Sequence, residues 1–260
     1  MLAMRSCLAA GLVMLGVLYA ADSGVDIRIV YDNTSADGGL REDWGFSAVA
    51  IVGDRRVLFD SGADADLLLR NLAALGINPA SISHAVISHH HSDHRGGIYR
   101  LFQRHPALRV WFLDSFPAEA FEIGLAVGMN PVRVTDPTEI APGIHTTGPV
   151  AGKIPEQALV IDAAGGPVVL VGCAHPGVDR LVEAAREQRK ADSIRLLLGG
   201  FHLMRHSEAD IERLIGRLKE LGVRQVAPAH CTGELAKRLL RQEWGENYLA
   251  CGAGRVITLP

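Results

Sequence analysis

The chain has 260 residues, of which 48% are hydrophobic and 21% are charged, and its formal net charge is −3. This composition is typical of a globular protein with a sizeable core and excludes a largely disordered chain. Acidic and basic residues are interspersed, which excludes the basic stripe of a nucleic-acid-binding protein, so no nucleic-acid partner is expected.

The N-terminus differs from the rest of the chain. A short, weakly positive start ending at Arg5 precedes the almost wholly apolar or small run 7–21. This pattern predicts a secretory signal peptide over residues 1–21, cleaved after Ala20 or the next alanine, with an uncleaved membrane anchor as the alternative. We therefore expect an exported protein, periplasmic or secreted, with a folded domain over residues 22–260. Membrane contact is expected only through an uncleaved anchor.

The folded part begins with strands, continues with strands and helices in alternation, and then repeats that order. The first half predicts strands over 26–30, 47–52, 56–59, 83–88 and 108–113 and helices over 64–75 and 97–104. The second half predicts strands over 157–161, 168–171, 194–198, 225–227 and 254–259 and helices over 178–189, 208–221 and 233–242. The proline-interrupted stretch 114–152 is interpreted as a substrate-facing loop or a solvated connector. This order predicts one α/β domain, an αβ/βα sandwich of two sheets packed face to face with helices outside.

A cluster of metal-ligand residue types follows the predicted strand 83–88. Residues 89–94 read His-His-His-Ser-Asp-His. His89 and His91 lie two apart, so in an extended segment they point the same way and can bind one ion. Asp93 and His94 are adjacent in a turning segment and can reach a second ion. The spacing therefore favours a metal centre over a solvated histidine-rich loop.

Two further histidines follow apolar strands. His175 ends the run VVLVGCAH, and His230 ends the run QVAPAH. Strand ends converge on shared sites in layered folds, so we expect each of these histidines to complete one of the two ion sites. Three protein ligands with an open position are typical of a catalytic zinc site. The alternative is a strand-terminal histidine satisfied by the backbone.

The order His-x-His-x-Asp-His resembles the signature of the metallo-β-lactamase superfamily. Within it, the chain resembles the branch that contains the dihydropterin ribofuranosylaminobenzene-phosphate synthases of methanopterin biosynthesis, over most of its length after residue 26. The matching motifs are residues 32–33, 44–47, 59–62, 172–177, 199–203 and 230–234. The resemblance implies an αβ/βα sandwich of two mixed sheets and the metal ligands His89, His91, Asp93, His94, His175 and His230.

Three positions depart from the patterns of these relatives, and one further residue is expected to support the ligands. Trp44 stands where many relatives of the branch have histidine, and Ser61 stands where Asp-Thr-Gly is commoner. Cys173 stands where most superfamily members have an aspartate that bridges both ions. Cys173 either ligates as a thiolate or is buried and inert. Asp60 is expected to accept a hydrogen bond from a ligand imidazole or, alternatively, to form a strand-end turn.

Candidate substrate contacts come from the two last motifs. His202 follows a predicted strand and is expected to contact substrate, with support of the ligands as the alternative. Thr232 and Gly233 open a predicted helix beside the metals, and free N–H groups there could bind an anion. The alternative for Thr232 is a helix N-cap.

The resemblance implies two divalent metal ions, with zinc expected first and manganese or iron as alternatives. The leading hypothesis is a dinuclear metal-dependent hydrolase that uses metal-bound hydroxide on an ester or phosphoester of a small anionic substrate, with Asp93 ligating and orienting the nucleophile. A transferase similar to the dihydropterin synthases is the alternative, although export argues against the cytoplasmic substrates of that pathway. A second alternative is a non-catalytic metal-binding or sensing protein. The sequence leaves the oligomeric state open.

Overall fold

The computed structural model describes residues 24–36 and 39–260. The predicted signal peptide over residues 1–21 lies outside the described residues. Within the described ranges, no helix is both long enough and apolar enough to cross a membrane.

The described residues form strands and helices in the predicted alternation. The strands are β1 (Val25–Tyr31), β2 (Ser47–Val52), β3 (Arg55–Phe59), β4 (His84–Val86), β5 (Arg109–Leu113), β6 (Val132–Val134), β7 (Thr138–Ala141), β8 (Ile144–Thr146), β9 (Leu159–Ile161), β10 (Val168–Val171), β11 (Ile194–Gly200), β12 (Val223–Ala229) and β13 (Val256–Leu259). The helices are α1 (Ala65–Ala74), α2 (Ser92–Arg95), α3 (Ile98–Arg104), α4 (Ala118–Ala126), α5 (Val178–Arg189), α6 (Glu208–Glu220) and α7 (Glu234–Trp244).

The strands form two mixed sheets. The first has the order β13-β1-β2-β3-β4-β5-β6, and the second has the order β12-β11-β10-β9-β8-β7. Pairing is parallel from β3 to β6 and from β10 to β12, and the neighbouring pairs β2–β3 and β9–β10 are antiparallel. This architecture confirms the predicted two-sheet α/β sandwich.

Side-chain alternation along β10 shows how the layers are held together. Val168 and Leu170 belong to the core that contains residues of both sheets. Val169 and Val171 point to the opposite face and pack in a second core with helices α5, α6 and α7. Successive side chains of a strand face opposite sides of a sheet, so a strand with four consecutive apolar residues must be covered on both faces.

The interpretation of residues 114–152 as a loop or connector is wrong. This stretch contains α4 and the short strands β6, β7 and β8. Its prolines stand at the ends of these elements: Pro117 caps α4, Pro131 precedes β6, and Pro142 lies between β7 and β8. Strands of three or four residues carry too little periodicity to be detected, and their stability comes from pairing with strands that lie elsewhere in the chain.

Candidate metal centre

The candidate site lies where strands of both sheets end. Asp60 follows β3 and Ser88 lies just beyond β4, whereas Cys173 lies just beyond β10 and His230 follows β12. Gly172 allows the loops of the two sheets to meet, because a Cβ at this position would lie only 2.1 Å from the Ser88 Oγ. A larger residue at position 172 would therefore push the two strand ends apart.

A first cluster consists of three imidazoles from two strand ends. The His89 Nε2 lies 3.1 Å from the His91 Nδ1, and the His175 Nε2 lies 3.2 Å from that same nitrogen. All three ligand atoms lie within 4.8 Å of one another. Three imidazole nitrogens this close together form a donor set that zinc and similar divalent ions prefer.

A second cluster combines Asp93, His94, His230 and Cys173. The Asp93 Oδ2 lies 3.6 Å from the His94 Nε2 and 3.4 Å from the His230 Nε2. The Cys173 Sγ lies 3.2 Å from the His94 Nε2. The His230 Nε2 is buried and has no hydrogen-bond partner, although a buried ring nitrogen normally has one. A divalent cation at this point would satisfy it, so the residues present fit a second ion.

The Asp60 carboxylate orients the His94 ring of the second cluster. It accepts hydrogen bonds from the Ser88 N–H at 2.7 Å and from the Ser88 hydroxyl at 2.8 Å, and its Oδ2 lies 2.7 Å from the His94 Nδ1. Because the carboxylate can only accept, the His94 Nδ1 carries the proton and donates it, which leaves the Nε2 facing the cluster. The Asp60 carboxylate therefore lies where it can fix the orientation of the His94 ring.

The other two buried imidazoles are also oriented by their second ring nitrogen. The His89 Nδ1 lies 2.9 Å from the Ser88 Oγ, and the His230 Nδ1 lies 2.9 Å from the Asn33 Oδ1. The backbone N–H of His230 donates to the Asp32 Oδ1 at 2.8 Å. Residues 32–33 are outside the two clusters of candidate ligands, and these contacts give them a role in positioning His230.

Left-handed backbone is concentrated at this site. Of the five described non-glycine residues with positive φ, Asp60, Ala174, His202 and His230 all lie at or beside the two clusters. Such conformations cost roughly 1–3 kcal/mol each and persist where the surrounding structure imposes them. Tight turns directly after the strands are needed to direct several side chains into one cleft.

The histidines of the two clusters differ in charge. Burial lowers the pKa of His89 well below its usual value, and burial together with neighbouring imidazoles lowers that of His175 to about 3. Burial alone would also lower the pKa of His94, but the Asp60 charge and hydrogen bond outweigh it and raise this pKa to about 9. Without metal, the first cluster is therefore neutral at pH 7, whereas His94 is protonated.

This difference predicts that ions bound at the two clusters would respond differently to pH. A cation in the second cluster must displace the proton held by His94, so its apparent affinity should fall about tenfold per pH unit below about pH 9. The lowered pKa values of His89 and His175 mean that no such competition affects the first cluster near neutral pH. Zinc titrations against a competing chelator from about pH 6 to 9 would measure both affinities. Parallel pH dependence of the two would contradict the prediction.

Glu156 is a central residue that no sequence motif revealed. It is fully buried, and its Oε1 accepts hydrogen bonds from the backbone N–H groups of Gly172, Cys173 and Ala174 at 2.9–3.0 Å, while its Oε2 accepts from that of His175 at 2.9 Å. Burial raises its pKa to about 7, and the N–H donors oppose that rise. Glu156 therefore holds the loop that carries one ligand of each cluster.

Trp44 is an exposed aromatic residue directly beside the second cluster. Its side chain is 47% exposed, its Nε1–H donates to the Asp93 Oδ2 at 2.9 Å, and its ring lies 4.8 Å from that of His230. The oxygen that accepts from Trp44 is the one that faces His94 and His230. Trp44 thus orients the Asp93 carboxylate within the second cluster.

Trp44→Phe should weaken binding of the second ion by about three- to tenfold, as expected for loss of one half-exposed hydrogen bond to a carboxylate. Trp44→His is the matched control, because histidine retains an N–H donor. Affinities of both ions are measured by zinc titration, with the first ion as the internal reference. Equal weakening of both ions in Trp44→Phe would show a general disturbance of the site rather than a role in orienting Asp93.

The three predicted substrate contacts, His202, Thr232 and Gly233, differ in their exposure and in their hydrogen bonds. His202 is exposed, and its ring lies 4.4 Å from that of His175, so it stands at the mouth of the cleft. Thr232 is fully buried, and its hydroxyl donates to the Ala229 carbonyl at 2.6 Å and accepts from a backbone N–H at 3.1 Å, out of reach of a substrate. Gly233 is the N-cap residue of α7. Because glycine has no side chain, Gly233 does not cap the first N–H groups of that helix through a side-chain hydrogen bond.

Comparisons with known proteins point to one superfamily. The family model of the metallo-beta-lactamase superfamily matches residues 43–230. The 7,8-dihydropterin-6-methyl-4-(beta-D-ribofuranosyl)-aminobenzene-5'-phosphate synthase of Methanocaldococcus jannaschii is 29% identical over 254 residues, covering 78% of this chain and 84% of the relative. The crystal structure of Tm1679, described as a metal-dependent hydrolase of the beta-lactamase superfamily, is 28% identical with a TM-score of 0.76, covering 90% of this chain and 98% of that chain. The short form of human tRNase Z, 13% identical with a TM-score of 0.61 over 90% of this chain and 99% of that chain, shares the fold.

Proposed function

The chain belongs to the metallo-beta-lactamase superfamily, and from this premise we propose that it is a dinuclear metal-dependent hydrolase acting on an ester or phosphoester of a small anionic substrate. Zinc is the proposed metal, with manganese or iron as alternatives. His89, His91 and His175 would hold one ion, and Asp93, His94 and His230 would hold the other, with the Cys173 thiolate of the same cluster as its fourth ligand.

The observation that carries the proposal is the buried His230 Nε2, which belongs to the second of the two clusters of donor atoms and has no hydrogen-bond partner. In three of the histidines the Nδ1 atom contacts a neighbouring side chain. Asp60 contacts His94, Ser88 contacts His89, and Asn33 contacts His230. A histidine that served only packing would not require this alignment. Preorganised ligands with an open cleft are typical of catalytic rather than structural sites.

The residues around the clusters support hydrolysis. Divalent cations, when bound, lower the pKa of a water molecule and polarise an ester or phosphoester oxygen. Asp93 would ligate through the oxygen facing His94 and His230 and would orient the nucleophile, while Trp44 holds that carboxylate in place. His202, at the mouth of the cleft, would donate a hydrogen bond to an anionic group of the substrate. Its pKa is raised by its contact with Cys231, which favours the cationic form.

A transferase is the second candidate, and the relative from Methanocaldococcus jannaschii favours it because that protein is described as a synthase. The same residues would then hold a phosphate-bearing substrate and promote departure of a leaving group. We also propose, from the apolar run 7–21, that the chain is exported, and this would separate it from a cytoplasmic pterin substrate.

Metal analysis combined with an activity screen tests the proposal. Protein reconstituted with excess zinc or manganese should contain two ions per chain and hydrolyse at least one class among phosphoesters, lactones and thioesters. His105→Ala, which alters a histidine bonded to the Ile82 carbonyl outside the centre, should keep both properties. A metal content that stays at one would remove the dinuclear mechanism. Formation of the synthase product without hydrolysis would favour the transferase.

A further inference from the structure

Two buried cysteines meet beside the second cluster. Cys173 lies after β10 and Cys231 lies after β12, and the two sulfur atoms are 3.4 Å apart. Both residues are buried and free. Cys251, the third described cysteine, is placed separately, and its thiol donates to the Ala227 carbonyl at 3.3 Å. The contact joins residues 58 positions apart in the chain, and the proposed hydrolysis uses neither sulfur as a nucleophile.

The two sulfurs are in van der Waals contact. A disulfide needs a separation of about 2.05 Å, so the two atoms, which are 3.4 Å apart, must approach by about 1.4 Å. Gly200 lies directly beneath Cys231, and a Cβ there would be 2.8 Å from the Cys231 Sγ. A side chain at position 200 would therefore clash with that sulfur, so glycine at this position allows Cys231 to lie where it contacts Cys173.

A bond between the two sulfurs would alter the metal centre. The Cys173 Sγ also lies 3.2 Å from the His94 Nε2 and belongs to the group that contains Asp93 and His230. A thiolate is a strong ligand for zinc, whereas a disulfide sulfur carries no charge and binds zinc poorly. A disulfide and a fully liganded second ion therefore exclude one another.

We propose that Cys173 and Cys231 form a reversible disulfide on exposure to a peroxide, and that this bond displaces the ion of the second cluster. Hydrogen peroxide oxidises one thiol to a sulfenic acid and releases one water molecule. The other thiol attacks that sulfur, forms the S–S bond and expels the second water molecule. The two thiols lose two electrons and two protons in total, and the peroxide takes them up. The effect on the ion rests on the two-ion function proposed above, whereas formation of the bond does not.

The experiment compares the full chain before and after oxidation. Metal-free protein is treated with hydrogen peroxide, its remaining thiols are alkylated, and peptide mapping locates any cross-link. We expect a peptide pair joined through Cys173 and Cys231, with the loss of two hydrogen atoms. Zinc titration should then give one ion per chain instead of two, and dithiothreitol should restore the second. Cys251→Ser should behave like the wild type, and Cys231→Ser should show no cross-link and retain two ions after peroxide.

Two results would overturn the proposal. One is oxygen addition at single cysteines without a cross-link, which would show that the sulfurs react independently. The other is a cross-linked protein that still binds two zinc ions, which would show that the bond does not affect the cluster. If the reduced protein binds only one ion from the start, the two-ion function fails on its own, and the peptide map still decides whether the disulfide forms. Because the peptide map is made on wild-type protein, the test of disulfide formation does not depend on whether the variants fold.

Discussion

Asp93→Ala is expected to lose the ion of the second cluster and nearly all turnover. The Asp93 Oδ2 faces both His94 and His230, and its removal takes away the anionic ligand that those imidazoles share. The nearby histidines lower the pKa of this carboxyl against the effect of burial, so it is ionised at any working pH. A ligand that also orients the nucleophile should contribute about a thousandfold or more to turnover. Metal analysis and kinetics on one preparation measure both effects.

His202→Ala is the comparison that separates substrate contact from ligation. The variant should keep two ions, because His202 stands exposed at the mouth of the cleft. Loss of a hydrogen bond to a charged substrate group costs about 1.5–3 kcal/mol, or roughly ten- to a hundredfold in kcat/KM. However, the ligand atoms of His202, Cys173 and Cys231 lie within 4.8 Å of one another. If His202→Ala loses an ion as readily as Asp93→Ala does, His202 is a ligand.

Glu156→Leu is expected to cause the largest loss of stability. Leucine has a similar size but accepts no hydrogen bonds, so the four backbone N–H groups of residues 172–175 would lose their acceptor. Each unsatisfied buried donor costs about 1–3 kcal/mol, so the free energy of unfolding should fall by roughly 4 kcal/mol or more. Denaturant unfolding of metal-free protein measures this effect without a contribution from bound ions.

Glu156→Gln keeps the shape of the side chain and removes one hydrogen-bond acceptor, so it separates the effect of the hydrogen bonds on stability from that of shape. Its remaining oxygen can still accept from Gly172, Cys173 and Ala174, but its amide group would face the His175 N–H with two donors opposed. We expect an intermediate loss of stability and weaker binding in the cluster that contains His175. Glu122→Gln, on the exposed face of α4, is the matched control and should be unchanged. Wild-type stability in Glu156→Leu would show that water or another group replaces the carboxylate.

Several features were predictable from the chain because their causes are local. Apolar runs such as 168–171 predict strands covered on both faces, and the structure places them in the two cores. The spacing of His89, His91, Asp93 and His94 assigns these ligands to two clusters, because an extended segment and a following helical turn direct them to different sides. These inferences require only the geometry of a few consecutive residues.

Other features were hidden because their partners are distant in the chain. Glu156 has no motif of its own, since it binds backbone N–H groups that every loop possesses. The role of Trp44 depends on Asp93, which is 49 residues away. Thr232 matched a helix-start pattern, yet its buried hydroxyl donates a hydrogen bond to the Ala229 carbonyl. An isolated polar residue in a sequence does not reveal which groups the fold brings to it.

By itself, the sequence determined the order of the strands and helices outside residues 114–152, the sandwich architecture and the types of residue available as ligands, because periodicity and spacing act over a few residues. The tertiary structure alone decided that His175 joins the first cluster and His230 the second, and that Cys173 contacts both His94 and Cys231. These pairings depend on the order in which β10, β11 and β12 lie within one sheet and on the approach of the other sheet at Gly172. Contacts between strand ends arise from packing two sheets together, a long-range constraint that local patterns do not contain.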